Sequence, residues 1–265
     1  MNRREEPVDY ADIRVTTGDG VVTITLDRPR VHNAVSFGTC GELTRAIAAA
    51  GQDPEARVIV LTHTGPYFSS GGDLAGYTGK PQAHFREYTQ AFKRLFLAIF
   101  DSPRPIVARV KGAVLGGGIG IVAACDLVVS SAEAVYRCPE IDVGLWPMMV
   151  SPILMRAVGP RRALDLMLTG RPMSAAEAMA AGLVSRAVPA DAVDAEVATV
   201  VDALKARSPL ALAMGRRSFH TMADMEMRQA LEYTGELLSL LVFSRDGQEG
   251  VRAFLEKRKA AWVGH

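Results

Sequence analysis

Cysteine is scarce in this chain of 265 residues: there are three, Cys40, Cys125 and Cys138, and no CxxC spacing. An odd number argues against a disulfide framework, and the missing pairs argue against a thiolate zinc site; such usage fits a reducing compartment. The five histidines are scattered, without the short pairing expected of zinc ligands, so no metal is expected. Charge of one sign is lacking too. Lys and Arg number 30 against 29 Asp and Glu, a net charge of +1, so no global field recruits nucleic acid or an anionic membrane. A local basic patch can still meet an anionic ligand. No stretch approaches the ~18 uninterrupted apolar residues of a membrane span. The opening MNRREEPVDYADI carries acids and no apolar run, unlike a signal peptide. The expectation is a cytoplasmic protein that binds neither nucleic acid nor membrane.

What is present is ordinary globular composition, 49% apolar and 22% charged, in a length that suits one large domain or a domain with an appendage. Residues 12–17 and 21–26 are rich in β-branched side chains and flank Gly18-Asp19-Gly20, which reads as a hairpin. A helical stretch over 36–50 precedes RVIVLT (57–62), a nearly all-apolar strand of the kind covered on both faces. A Gly- and Ser-rich loop (63–79) leads to residues 82–100, where Phe85, Phe92, Leu95, Phe96 and Ile99 recur at helical spacing. Pro103 and Pro105 end that helix. A strand (106–110), a glycine-rich turn (112–120), a short apolar helix (119–124) and a strand (126–130) follow. Such alternation reads as α/β with crossover units. Beyond Met149 helices dominate: Ser174 and Glu177 form a capping box, Gly182 is a candidate C-cap, and 183–188 is a last strand. Residues 191–206, 209–223, 226–244 and 246–260 read as helices. The chain thus divides into an α/β core (1–200) and a helical C-terminal region (201–265).

Two turns stand out. Phe68-Ser69-Ser70-Gly71-Gly72-Asp73-Leu74 follows a buried strand, and its glycines let a backbone N–H approach a ligand, with Asp73 free to cap a following helix. The second, Gly112 to Gly120, places three consecutive glycines, Gly116 to Gly118, at a helix N-terminus, where the dipole favours negative charge. On its own each turn also reads as a surface loop or as tight helix–sheet packing. Gly118 to Ala123 matches GxGxxA, with Asp142 about 20 residues on, a pattern for a dinucleotide and a nicotinamide-dependent oxidoreductase. It lies mid-chain, and the helical second half does not supply a doubly wound sheet. Ser69-Ser70 lacks the GxSxG context of a serine hydrolase. Together, the two turns offer backbone donors that can converge on one oxygen as an oxyanion hole.

At these residues the chain resembles the crotonase superfamily, the enoyl-CoA hydratase/isomerase family. ITLDRP with HNA (Ile24–Pro29, His32–Ala34), FSSGGDL, VKGAVLGGG (Val110–Gly118), ACDL (Ala124–Leu127), Pro139-Glu140 with Val143-Gly144, and EGVRAFLEKR (Glu249–Arg258) are similar to its segments, in the same order. The resemblance implies a spiral of ββα units with a helical C-terminal region that builds trimers, usually paired into hexamers. It implies oxyanion donors at the N–H groups of Gly72 and Gly117. It implies acyl-CoA contacts at Val31, Ala34, Ser70, Gly71, Gly72, Asp73, Leu74, Gly116, Gly117, Pro139 and Val143. Coenzyme A is then part of the substrate, and no separate cofactor is implied.

The resemblance makes Glu140 the acid–base residue. Family hydratases use a second glutamate, and the matching position here is Gly120, which cannot activate water. A single carboxylate can carry a proton between C2 and C4 of an enoyl chain, so Δ3–Δ2 enoyl-CoA isomerisation ranks above hydration of a 2-enoyl-CoA. A non-catalytic acyl-CoA-binding relative is a further reading. Asp142 and His63 are weaker candidates for a direct role. Tyr67, Tyr77 and Trp146 suit either the acyl pocket or the core. Relatives that displace halide use an aspartate near Trp146-Pro147, and none stands here.

Overall fold

Asp19 and Gly20 both take positive φ (49° and 73°), and their tight turn joins β1 (Ile13–Gly18) to β2 (Val21–Leu26) with Ile13 opposite Leu26. The computed structural model describes residues 9–76 and 79–265. After the hairpin comes α1 (Phe37–Gln52), whose Ser36 side chain accepts from the Thr39 N–H in a capping box. Three units of two strands then follow. They are β3 (Val58–His63), β4 (Tyr67–Ser69) and α2 (Gln82–Asp101); β5 (Ile106–Val110), β6 (Ala113–Leu115) and α3 (Gly117–Ala124); and β7 (Leu127–Ser131) and β8 (Val135–Arg137), leading through the 3-10 turn Pro139–Val143 to α4 (Ser151–Val158) and α5 (Pro160–Thr169). The chain continues with β9 (Met173–Ser174), α6 (Ala175–Ala180), β10 (Arg186–Val188), α7 (Val193–Lys205), α8 (Pro209–Met222), α9 (Met227–Phe243) and α10 (Arg245–Leu255).

Each unit adds one strand to each of two sheets. The large sheet runs β1-β2-β3-β5-β7-β10, parallel from β2 onward, and the small one runs β4-β6-β8-β9, parallel up to β8. This is the spiral of ββα units followed by C-terminal helices that the resemblance implies. The large sheet is covered on both faces, which explains why β3 is buried at every position. Ile59 and Leu61 face the main core with α1 and α2, while Val58, Val60, Val107 and Val129 pack against Val193, Val197, Val200 and Val201 of α7. Full burial of each such side chain contributes roughly 1.5–3 kcal/mol.

The structure corrects several boundaries. β4 and β6 lie in segments that read as loop or turn, and β8 in a stretch to which no element is assigned from sequence, because three-residue strands carry no periodicity. Helix α3 already begins at Gly117. The last strand is confined to 186–188, since the N–H groups of Leu183 and Val184 close the end of α6 on the Ala178 carbonyl. Helix α10 stops at Leu255, where Lys257 turns to φ +54. Helices α8 and α9 bury no residue, and Phe219, Met227, Leu231, Leu238 and Phe243 stand at least 61% exposed. Among the described residues no helix is long and apolar enough to cross a membrane.

Candidate active site

The small sheet brings the two glycine turns together at its strand ends. β4 runs into Ser70–Asp73 and its parallel neighbour β6 into Gly116. Gly71 has φ +98 and Gly116 φ +50, and a Cβ on Gly71 would stand 3.2 Å from both Gly116 Cα and Gly117 N. Only glycines permit this contact of two backbones. The first turn is further held by Val35, which pairs with Gly72: the Val35 N–H donates to the Gly71 carbonyl (2.8 Å) and the Asp73 N–H to the Val35 carbonyl (3.1 Å). Alternate N–H groups of an extended strand point to opposite sides, so the Gly72 N–H faces away from Val35. Its neighbours are used: the Ser70 N–H donates to the His32 carbonyl and the Gly71 N–H to Ser69 Oγ. In the second turn the Gly116 N–H donates to the Arg137 carbonyl. The N–H groups of Gly72 and Gly117 have no acceptor among the described residues. Gly117 opens α3, which has no side-chain cap, so the helix dipole adds to its pull on an oxyanion.

Glu140 comes from the 3-10 turn Pro139–Val143, which Gly144 closes with φ +74. A Cβ on Gly116 would stand 3.0 Å from Glu140 Oε1, so the carboxylate lies against the second turn. Its Oε2 is shut from solvent with no hydrogen-bond partner among the described residues. Burial pushes the Glu140 carboxyl up from its ordinary value, only partly opposed by its own backbone N–H. The same burial, with the Glu140 charge beside it, pushes the Cys138 thiol up to about 12, so Cys138 stays protonated.

A cavity of about 610 Å³ opens over these groups. Of the residues named from sequence, it is lined by Ser70, Gly71, Gly72, Leu74, Gly116, Gly117, Pro139, Glu140, Asp142, Val143 and Trp146. Val31, Ala34, Asp73, Gly120, His63 and Tyr67 do not line it, and Tyr77 lies outside the described residues. Val31 is exposed on the turn Pro29–Val31, and Ala34 precedes the Val35 that holds Gly72. Asp73 caps no helix with its side chain: its carboxylate instead meets Arg28 Nη1 at 3.2 Å. Sequence reading saw Phe85 and Phe92 only as a helical stripe and missed that they, with Tyr88 and Thr89, make α2 a wall of the cavity; it also missed the lip of residues 145–150, apart from Trp146. The spacing i, i+3, i+4, i+7 was the available signal for that wall.

The sequence profile of the enoyl-CoA hydratase/isomerase family matches residues 16–265. The chain belongs to this family. It is 34% identical over 254 residues to a probable enoyl-CoA hydratase of Mycobacterium tuberculosis, covering 94% of this chain and 96% of the relative. It is 32% identical over 245 residues to the mitochondrial enoyl-CoA hydratase domain-containing protein 3 of Mus musculus, covering 92% and 82%. A solved enoyl-CoA hydratase of Mycobacterium smegmatis superposes with TM-score 0.92 at 32% identity, covering 95% of this chain and 99% of that one.

Gly120 is the position at which the resemblance expects a second acid. A Cβ there would stand 3.1 Å from both Phe96 Cζ and Val150 Cγ2, so apolar side chains close in where a second acid would start. The GxGxxA reading fails on the same ground. A Cβ on Gly118 would meet Ser69 Cβ at 2.7 Å, and both glycines serve packing within the protein. Asp142 is held by Arg137 (Nη2 to Oδ2, 2.6 Å). His63 accepts from the Lys111 N–H (3.1 Å) at the end of β3, and burial holds its pKa low. Among the described residues no cluster of three or more His, Cys, Asp or Glu is set to hold a metal ion.

Proposed function

We propose that this family member is an acyl-CoA enzyme that moves a double bond from C3 to C2 of a 3-enoyl thioester with one carboxylate. In this reading the thioester oxygen accepts from the N–H groups of Gly72 and Gly117. Glu140 removes a proton from C2, the C2–H electrons form the enolate, and the negative charge collects on the held oxygen. The same Glu140 returns the proton to C4, so atoms and charge balance within the substrate. Its raised pKa suits a group that must both take and give a proton. The substrate's coenzyme A portion runs past Val31 and Ala34, and its pantetheine end past Ser70–Leu74, with Gly116, Pro139 and Val143 around the acyl group.

The observation that carries this reading is the wall at Gly120. Phe96 and Val150 close around the Cβ position from which a second acid would extend, so the residues next to it are apolar and offer no carboxylate to activate water. The test is a turnover screen over 2-enoyl and 3-enoyl thioesters of several lengths. Isomerisation of 3-enoyl thioesters is the expected main activity; hydration of 2-enoyl thioesters at equal or higher rate overturns it. We further read residues 201–265 as an oligomerisation region that buries the exposed apolar residues of α8 to α10 in a trimer or a pair of trimers, which sedimentation velocity checks.

A further inference from the structure

A second cavity of about 600 Å³ lies at the other end of the large sheet and shares no lining residue with the first. Arg57 immediately precedes β3 and Arg104 nearly precedes β5, so both sit at the N-terminal ends of parallel strands whose C-terminal ends lead toward the acyl cavity. Lys205, from the end of α7, joins them, and Trp262, Pro209, Leu210 and Ala213 form an apolar side.

The charge accounting of this cavity is incomplete. Neither Arg57 nor Arg104 has a carboxylate at ion-pair distance among the described residues. Their neighbours are backbone: Arg57 Nη2 donates to the carbonyls of Lys205 and Arg207, and Arg104 Nη2 to that of Asp53 (3.0 Å). The acids nearby make no ion pair with either arginine but act on them at longer range. Asp19 pairs with Lys205; the Asp53 carboxylate takes the Glu55 N–H while its charge favours that of Arg104; Asp246 takes Ser208 and the N–H groups of Val263 and Gly264 and feels the Arg57 charge; Glu55 is exposed. Arg104 Nε is buried with no acceptor. Burial and, after it, the adjacent Arg57 act against the Arg104 charge, and Asp53 only partly opposes them. Two guanidiniums in one wall repel each other, and an anion between their accessible N–H groups offsets that repulsion.

We propose that this cavity binds a phosphate-bearing small molecule, with the phosphate held by the guanidinium groups of Arg57 and Arg104 and its organic part against Trp262. Guanidinium forks match phosphate oxygens, and the volume exceeds what inorganic phosphate alone fills. The site is independent of the acyl chemistry.

Isothermal titration of the full chain with adenosine monophosphate, inorganic phosphate and citrate tests it. Saturable binding of adenosine monophosphate is expected, tighter than that of inorganic phosphate. Arg104→Gln is expected to weaken it about 10–100-fold, as loss of a charged hydrogen bond does, with kcat and KM for the thioester unchanged. Arg104→Lys keeps the charge and loses the fork, and is expected to fall between. Tighter binding of citrate overturns the phosphate class, and inorganic phosphate binding as tightly as the nucleotide overturns the organic part. No saturable binding, or binding unchanged in both variants, overturns the site.

Discussion

The acyl cavity has two walls that differ in one respect. On one side Glu140 presents a carboxylate oxygen with no partner among the described residues, held against Gly116; on the other, Val150 lines the cavity and, with Phe96, closes over Gly120, which lies behind the lining and presents no side chain. The backbone between them is common to both walls, since α3 starts at Gly117 and carries Gly120 one turn on. On the proposed reading, the difference teaches that the two turns supply charge stabilisation, whereas the product is selected by which side carries a proton acceptor. The largest expected effect therefore belongs to Glu140→Gln. General acid–base groups contribute about 10²–10⁴-fold, and kcat of the 3-enoyl reaction is expected to fall by that much in steady-state assays. Unchanged turnover sinks the one-carboxylate reading.

The same variant has a pH signature. With its pKa raised by burial, folded Glu140 binds a proton that the unfolded chain has already released. Stability contributed by this group is thus present at low pH and is lost as pH rises through its folded value. Urea titrations of wild type and Glu140→Gln at pH 4 and pH 8 read this directly. Glu140→Gln is expected to gain on wild type as pH rises, and the opposite slope would mean the carboxylate is stabilised by a group not seen facing it.

The apolar wall is broken by Gly120→Glu. The new carboxylate would start 3.1 Å from Phe96 and Val150. Overpacking and burial of an unpaired acid cost roughly 2–4 kcal/mol, which urea titration measures, and hydration is not expected to appear. Adding Phe96→Ala makes room, and hydration of 2-enoyl thioesters is expected only in the double variant. A single Gly120→Glu that hydrates well would show that the wall yields.

How much of this was legible depends on the range of the contact that fixes it. The apolar run of β3 was readable because both faces are covered, and the hairpin because Asp19-Gly20 fits its turn. The glycine turns were readable because only glycine tolerates the approach of Gly71 to Gly116; Glu140 was not readable from its own neighbours and came from the family resemblance. Strands β4, β6 and β8 escaped because three residues show no alternation. The partner of Asp73 escaped because Arg28 lies 45 residues away. Phe85 and Phe92 were seen as a helical stripe, yet a stripe facing a cavity and one facing the core have the same spacing.

Gly71→Ala sharpens the comparison from the side of the shared turns. A Cβ at φ +98, 3.2 Å from the Gly116 and Gly117 backbone, strains the turn by about 1–3 kcal/mol and displaces the Gly72 N–H. An interaction that strengthens only as the enolate forms is lost from kcat more than from KM. A fall of about 10-fold in kcat with little change in KM is expected from initial rates. Equal loss in both would mean the turn merely binds substrate.

The smallest effect is expected at Asp142, two residues from Glu140 and also on the cavity lining. Nearness alone would make it a second acid, and then the two walls would differ less than argued. Its Oδ2 sits 2.6 Å from Arg137 Nη2, with both side chains more than a third exposed, so its charge is already matched and largely screened. Exposed pairs contribute about 0–1 kcal/mol, so Asp142→Asn is expected to change stability by no more than that. Turnover is expected to stay within about twofold, because that carboxylate is already engaged by the Arg137 guanidinium. A loss comparable to that of Glu140→Gln would move the second acid from the Gly120 wall to the Glu140 wall, and would make hydration with both acids on one side the better reading of the cavity.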